Sequence, residues 1–164
     1  MLIAMTPMYF VLIALYALHV ICAIVWFGGG LTGALITGPA LSRASEGARA
    51  EVGMQLGRIA SRVYPVAAIA TIGLGVLLAY LGGRVSTFEG LLSPYGITAA
   101  VALALAIGLS FWGSRVIGPA MKRMQTAPPA ERPALLKRAL RNVAVEQFGF
   151  VAVFACMVLL RFGV

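Results

Sequence analysis

The sequence predicts an all-α fold, an integral membrane four-helix bundle built from two parallel helix-pair repeats, with residues 1–164 forming one transmembrane domain. Three observations carry that expectation. Hydrophobic residues make up 61% of the 164 and charged residues 11%, with a mean hydropathy of +0.97. A soluble domain of this length has no use for so much apolar surface. The apolar residues gather in four runs, each close to the roughly 20 residues that cross a bilayer. A short pattern also recurs at an offset of 80 residues: ITGPALSR ends at Arg43 and VIGPAMKR at Arg123. The same offset pairs Leu56 with Leu136, Arg58 with Arg138 and Val63 with Val143. Two spans per unit make this a parallel repeat about an axis along the membrane normal.

The first run covers about residues 8–36 and is closed by Gly38-Pro39. Proline removes a backbone donor and its ring crowds the preceding turn, so the helix is expected to kink or end there. This run is longer than a crossing requires, so it tilts or protrudes. The second run, about 63–81, ends at Gly82-Gly83, and Pro65 falls where a first helical turn tolerates it. The third, about 97–117, ends at Gly118-Pro119, and the fourth covers about 143–162. No basic residue precedes the first run, and the run exceeds a signal-peptide core, so it is expected to stay in the mature protein.

The connections differ in charge. Residues 42–62 carry Arg43, Arg49, Arg58 and Arg62, and residues 122–142 carry Lys122, Arg123, Arg132, Lys137, Arg138 and Arg141. Residues 83–96 carry Arg84 alone among cations. The net charge of +8 therefore sits between apolar runs and follows the positive-inside rule, so no nucleic-acid partner is expected. The basic connections are expected in the cytoplasm of a bacterium, with both termini outside the inner membrane. ARAEVGMQLGRIASR and PAERPALLKRALRN suit amphipathic helices that extend the spans.

One stretch stands out chemically: LHVICAIVWFGGGLTG, residues 18–33. It holds the only histidine, His19, with Cys22 three residues on and Trp26 seven residues on, spacings that share one helix face. An imidazole in hydrocarbon must hydrogen-bond, ligate a metal or contact a cofactor. Imidazole is a common ligand of haem iron and of copper. Trp26, Gly29 and Gly33 would make a flat wall for a macrocycle, and Arg84 and Arg161 at the outer ends of the spans would meet haem propionates. Counting along the spans brings Met157 of the fourth run to the depth of His19, which makes His19–Met157 ligation geometrically possible, with a five-coordinate haem as the alternative. Copper would instead use a compact set such as His19, Cys22 and a methionine. Purely structural hydrogen bonding of His19 is the third reading. Met1, Met5 and Met8 are spaced as a Cu(I) acquisition site or as apolar filler. Position 99, which the offset pairs with His19, is alanine, so the duplicated frame kept one polar centre.

The remaining signals are weaker. Gly29-x-x-x-Gly33 and Gly53-x-x-x-Gly57 suit close helix packing within the bundle or in a homodimer. Arg115 and Glu146 fall inside apolar runs at matching depth, and a mutual ion pair is expected; a proton path through Glu146 is the alternative. Cys22 and Cys156 lack CxxC spacing, which argues against a disulfide framework or zinc site. There is no GxSxG, phosphate-cradling loop, carboxylate pair or HExxH, so hydrolytic and phosphoryl-transfer chemistry has no residues to rest on.

At LHVICAIVWFGGGL and the two GPA closes, the chain resembles the CopD-like superfamily of bacterial four-span membrane proteins. That group includes CopD copper-resistance domains, HemJ-type protoporphyrinogen oxidases and uncharacterised branches, of which this chain looks most like the last. The shared feature is His, six residues, Trp, then small residues in the first span. The resemblance implies a four-helix bundle and, by the HemJ type, b-type haem on His19 with a membrane oxidoreductase or electron-transfer role. By the CopD type it implies copper transport or resistance. The HemJ type carries a lysine in the third span, where this chain has none. A redox partner or a larger membrane complex that the chain serves as a structural subunit completes the set of expectations.

Overall fold

In hydrocarbon each backbone N–H and C=O must be satisfied within its own segment, so long apolar runs fold as helices. The computed structural model describes residues 7–128 and 130–163. Among these, no strand occurs. Helix α1 is Pro7–Arg43, α2 is Glu46–Leu81, the short α3 is Phe88–Leu92, α4 is Pro94–Met124 and α5 is Arg132–Arg161. All but α3 are long and apolar enough to cross a membrane, which makes the chain a multi-pass membrane protein of the expected all-α class.

The helix starts are capped as the sequence allows. The hydroxyls of Ser45, Thr87 and Ser93 accept from the N–H groups of Ala48, Gly90 and Gly96 at 3.4, 3.1 and 3.1 Å. At the basic end of the bundle Arg49 of α2 donates to the carbonyls of Leu41, Ser42 and Ala44 at 2.9, 2.8 and 3.0 Å. It thereby occupies the last orphan carbonyls of α1. Arg132 pairs with Glu46, tying the start of α5 to the start of α2.

Two expectations about boundaries change. The helices do not end at Gly38-Pro39 and Gly118-Pro119 but pass through both prolines. A π turn precedes each one, at Gly33–Thr37 and at Gly113–Ile117. There the N–H of Gly38 reaches back five residues to Gly33 O, and that of Gly118 to Gly113 O. The wider turn absorbs the missing donor and ring bulk of the proline that follows. Secondly, Pro65 lies inside α2, not in its first turn. The basic stretches extend the second and fourth spans as helix, as expected, so α2 and α5 begin at Glu46 and Arg132.

α1 packs along α2 and α4 along α5, giving two antiparallel hairpins, and α2 meets α4 between them. The edge contact of Trp26 with Phe150, ring centroids 5.3 Å apart, joins α1 to α5. Four of the nine buried residues among those described are alanines, Ala67, Ala68, Ala106 and Ala139, beside Gly96, Thr71, Trp26, Leu109 and Phe150. Large side chains instead face outward, as with Phe148 at 78% and Ile69 at 70% exposure. Lipid solvates such groups as well as a protein core would, so the bundle is held by close approach of small residues.

Candidate functional site

The register of α1 on α2 decides what His19 meets. Tyr64 of α2 lies on Gly29, and one turn after another the antiparallel pair brings Thr71 and Gly75 to the level of His19. The imidazole Nδ1 is 2.9 Å from the backbone carbonyl oxygen of Thr71. A carbonyl can only accept, so Nδ1 carries the proton and Nε2 keeps its lone pair. The ring rests on Gly75, where a Cβ would stand 3.1 Å from His19 Cε1. The Thr71 hydroxyl is spent within its own helix, donating to Ala67 O at 2.7 Å.

His19, Cys22 and Trp26 do not share one environment. A π turn at Ile24–Gly28 follows Cys22 and contains Trp26, and its wider winding shifts Trp26 off the face that regular α spacing would share with His19. Trp26 therefore turns to Phe150, and Phe27 reaches the same ring with centroids 5.2 Å apart. Cys22 lines an apolar groove of about 380 Å³ between α1 and α2, with Ile21, Val25, Val66 and Ala70, and with Arg62 at one end. Among the described residues no three His, Cys, Asp or Glu side chains converge as a metal-binding group.

The glycine wall is also rearranged. A Cβ on Gly29 would stand 2.7 Å from Tyr64 Cε1, and one on Gly30 would meet Phe150 Cε2 at 3.4 Å and Gln147 Nε2 at 3.7 Å. The space beside these two glycines is therefore filled by protein, and a macrocycle does not fit there. Gly33 has nothing within 4 Å of its would-be Cβ, so Gly29-x-x-x-Gly33 is not a continuous contact face within the bundle. The unfilled room beside His19's helix is the groove at Cys22.

Met157 of α5 is half-buried. Phe150 meets Trp26 and Gln147 approaches Gly30, so the antiparallel run of α1 on α5 carries Met157 to the depth of His19. Arg84 lies over the Tyr95 ring, 4.9 Å from its centroid, and its Nη1 is 3.6 Å from a would-be Cβ on Gly163. That places Arg84 beside the turn that follows Arg161, at the end of the bundle nearer His19. Met1 and Met5 lie outside the described residues, and Met8 is exposed on α1.

The expected Arg115–Glu146 pair does not form: the one ion pair among the described residues is Arg132–Glu46. Arg115 is exposed and lies over the Phe111 ring, 5.1 Å from its centroid. Glu146 Oε1 faces Gly113 instead, 3.3 Å from a would-be Cβ. Two residues along a helix point to nearly opposite sides, so the face that presents Gly113 to α5 turns Arg115 away. Next to Glu146, both amide atoms of Gln147 are buried and have no hydrogen-bond partner among the described residues. Each orphaned atom of this kind costs about 1–3 kcal/mol. Sequence reasoning passed over Gln147 and Tyr64. A glutamine beside a glutamate in an apolar run was the available signal for the first; a tyrosine at a helix contact carries none.

Residues 21–129 match the domain of unknown function DUF4149. No curated protein and no solved structure matches the chain.

Proposed function

The chain belongs to the DUF4149 family, and from that premise we propose that it holds haem b through His19 in a redox or electron-transfer role at a bacterial inner membrane. The reading rests on one observation, the 2.9 Å bond from His19 Nδ1 to the Thr71 carbonyl. Ligating histidines commonly donate their second N–H to a carbonyl, which fixes the tautomer and aims the other nitrogen at the metal. His19 Nε2 would hold the iron, with Met157, at the same depth on α5, a candidate second ligand. The apolar wall would come from side chains near His19 and not from Gly29 and Gly30, whose surroundings are filled. Arg84 and Arg161 would meet propionates at the near end. Bound haem would supply a one-electron couple; the chain's part is to hold the imidazole neutral, orient it against Gly75 and keep water from it.

The resemblance to CopD-like proteins supports either haem or copper as the group held, and a packing role would use the same hydrogen bond. One preparation separates them. Protein made with haem available is expected to show a Soret band that His19→Ala abolishes without changing helical content. A wild-type protein with no Soret absorbance overturns the haem reading. Copper retained by wild type and lost from His19→Ala would then assign copper, and neither metal would leave His19 as a packing residue.

The orientation proposed has the two basic stretches in the cytoplasm and both termini outside, because ten of the thirteen Lys and Arg lie in residues 42–62 and 122–142. Ser93→Cys should label from the periplasm in intact cells. Labelling from the cytoplasm alone would reverse the topology.

A further inference from the structure

The layer of the bundle below His19 contains a second polar centre, on different helices and with different chemistry. Glu146 and Gln147 come from α5, and Tyr64 comes from α2. Their neighbours are glycines: Tyr64 Oη is 2.8 Å from a would-be Cβ on Gly29, Gln147 Nε2 is 3.7 Å from one on Gly30, and Glu146 Oε1 is 3.3 Å from one on Gly113. Tyr64 is within Coulombic reach of Glu146. Every helix that crosses the membrane thus contributes to this layer, two of them by withdrawing side-chain bulk at the point where α2 and α5 insert polar groups.

The charges around Glu146 do not balance it. α1 offers Gly29, Gly30 and Trp26 and no titratable group. α2 offers Tyr64; its Arg62 borders the groove on the outer side of α1 and α2. α4 offers Gly113 and Trp112, whose indole N–H donates to Asn142 O at 3.3 Å, while Arg115 points away over Phe111. On α5 itself, Arg141 is exposed. Among the described residues a carboxyl so placed has no cation to hold it as a fixed charge, and beside it an amide has donor and acceptor both unmet.

We infer that Tyr64, Glu146 and Gln147 form an intramembrane proton-binding site, in which ordered water joins the Gln147 amide to the Glu146 carboxyl and the Tyr64 hydroxyl. The exchange is Glu146–COO⁻ + H⁺ ⇌ Glu146–COOH, with no other reactant. Water suits the amide because it can donate to Oε1 and accept from Nε2 at once, which no neighbouring side chain does. The site is independent of His19 and of whatever His19 holds.

Infrared difference spectroscopy on the full chain in lipid nanodiscs tests this. Wild-type protein titrated over a wide pH range should show a carboxylic C=O stretch that grows and fades reversibly, and Glu146→Gln, close in shape, should lose it. Tyr64→Phe and Gln147→Leu should each keep the band but move its midpoint, by about one pH unit. His19→Ala should leave it unmoved. Absence of any titrating band assignable to Glu146 would overturn the site. A midpoint that follows sodium concentration would also overturn it, by assigning the oxygens to a cation. Midpoints identical in wild type, Tyr64→Phe and Gln147→Leu would overturn the shared water.

Discussion

The two hairpins, α1–α2 and α4–α5, are copies of one frame that differ in where they place bulk and polarity. Each has a π turn ahead of Gly-Pro-Ala, at Gly33–Thr37 and at Gly113–Ile117. In the first hairpin a glycine on the leading helix, Gly29, receives Tyr64 from the returning helix. In the second the roles are exchanged: Leu109 of α4 fills the place of a side chain on Gly149 of α5, 2.5 Å from its would-be Cβ. His19 sits on Gly75, and the offset of 80 pairs these two with Ala99 and Ala155. The hairpin with the imidazole has the glycine that admits it, and the hairpin without the imidazole has alanine at both positions. Glu146 and Gln147 in turn stand opposite Val66 and Ala67 of the first copy. The two hairpins thus share a backbone layout and differ in where polar side chains and glycines stand.

The sharpest break in this comparison is at Gly29. Gly29→Leu would force Tyr64 off the backbone of α1 and is expected to destabilise the bundle by about 3 kcal/mol, the upper part of the overpacking range. Gly33→Ala, with nothing to meet, should cost nothing and gain up to about 1 kcal/mol through helix propensity. Thermal unfolding in one detergent measures both, and equal losses would show that the glycine cluster acts through α1 alone.

A smaller effect is expected at the His19–Gly75 pair. Gly75→Ala should gain little or lose stability in wild type, because the ring is already 3.1 Å from the new methyl. In a His19→Ala background, which rebuilds the alanine pair of the second hairpin, the same change should stabilise by up to about 1 kcal/mol through helix propensity. The double-mutant cycle should therefore return a coupling of about 1 kcal/mol, and additivity would separate His19 from Gly75.

The smallest effect belongs to Arg115. With no ion pair to lose, Arg115→Ala should change stability by less than about 0.5 kcal/mol, whereas Glu146→Ala should change it more. The charge swap Arg115→Glu with Glu146→Arg should rescue nothing. Recovery on swapping would restore the direct pair that helix periodicity suggested.

The sequence alone determined the class and the frame. Four apolar runs have no folded alternative to helix in hydrocarbon, and the 80-residue offset announced the duplication before the paired π turns displayed it. It also singled out His19, because an unpartnered imidazole in an apolar run is conspicuous. The fate of Gly-Pro was not legible, since a proline that ends an α-helix can be carried by a wider turn, and only the backbone hydrogen bonds tell the two apart. The π turn at Ile24–Gly28 likewise changed which residues share a face with His19, because its wider winding shifts Trp26 off the regular α spacing. Spacing placed Arg115 and Glu146 at one depth and said nothing about direction around α4, which helix packing set. Tyr64, Gln147 and the glycines they cover became a site only through tertiary structure. A contact between helices depends on their register, and register is a property of the pair that neither helix carries by itself.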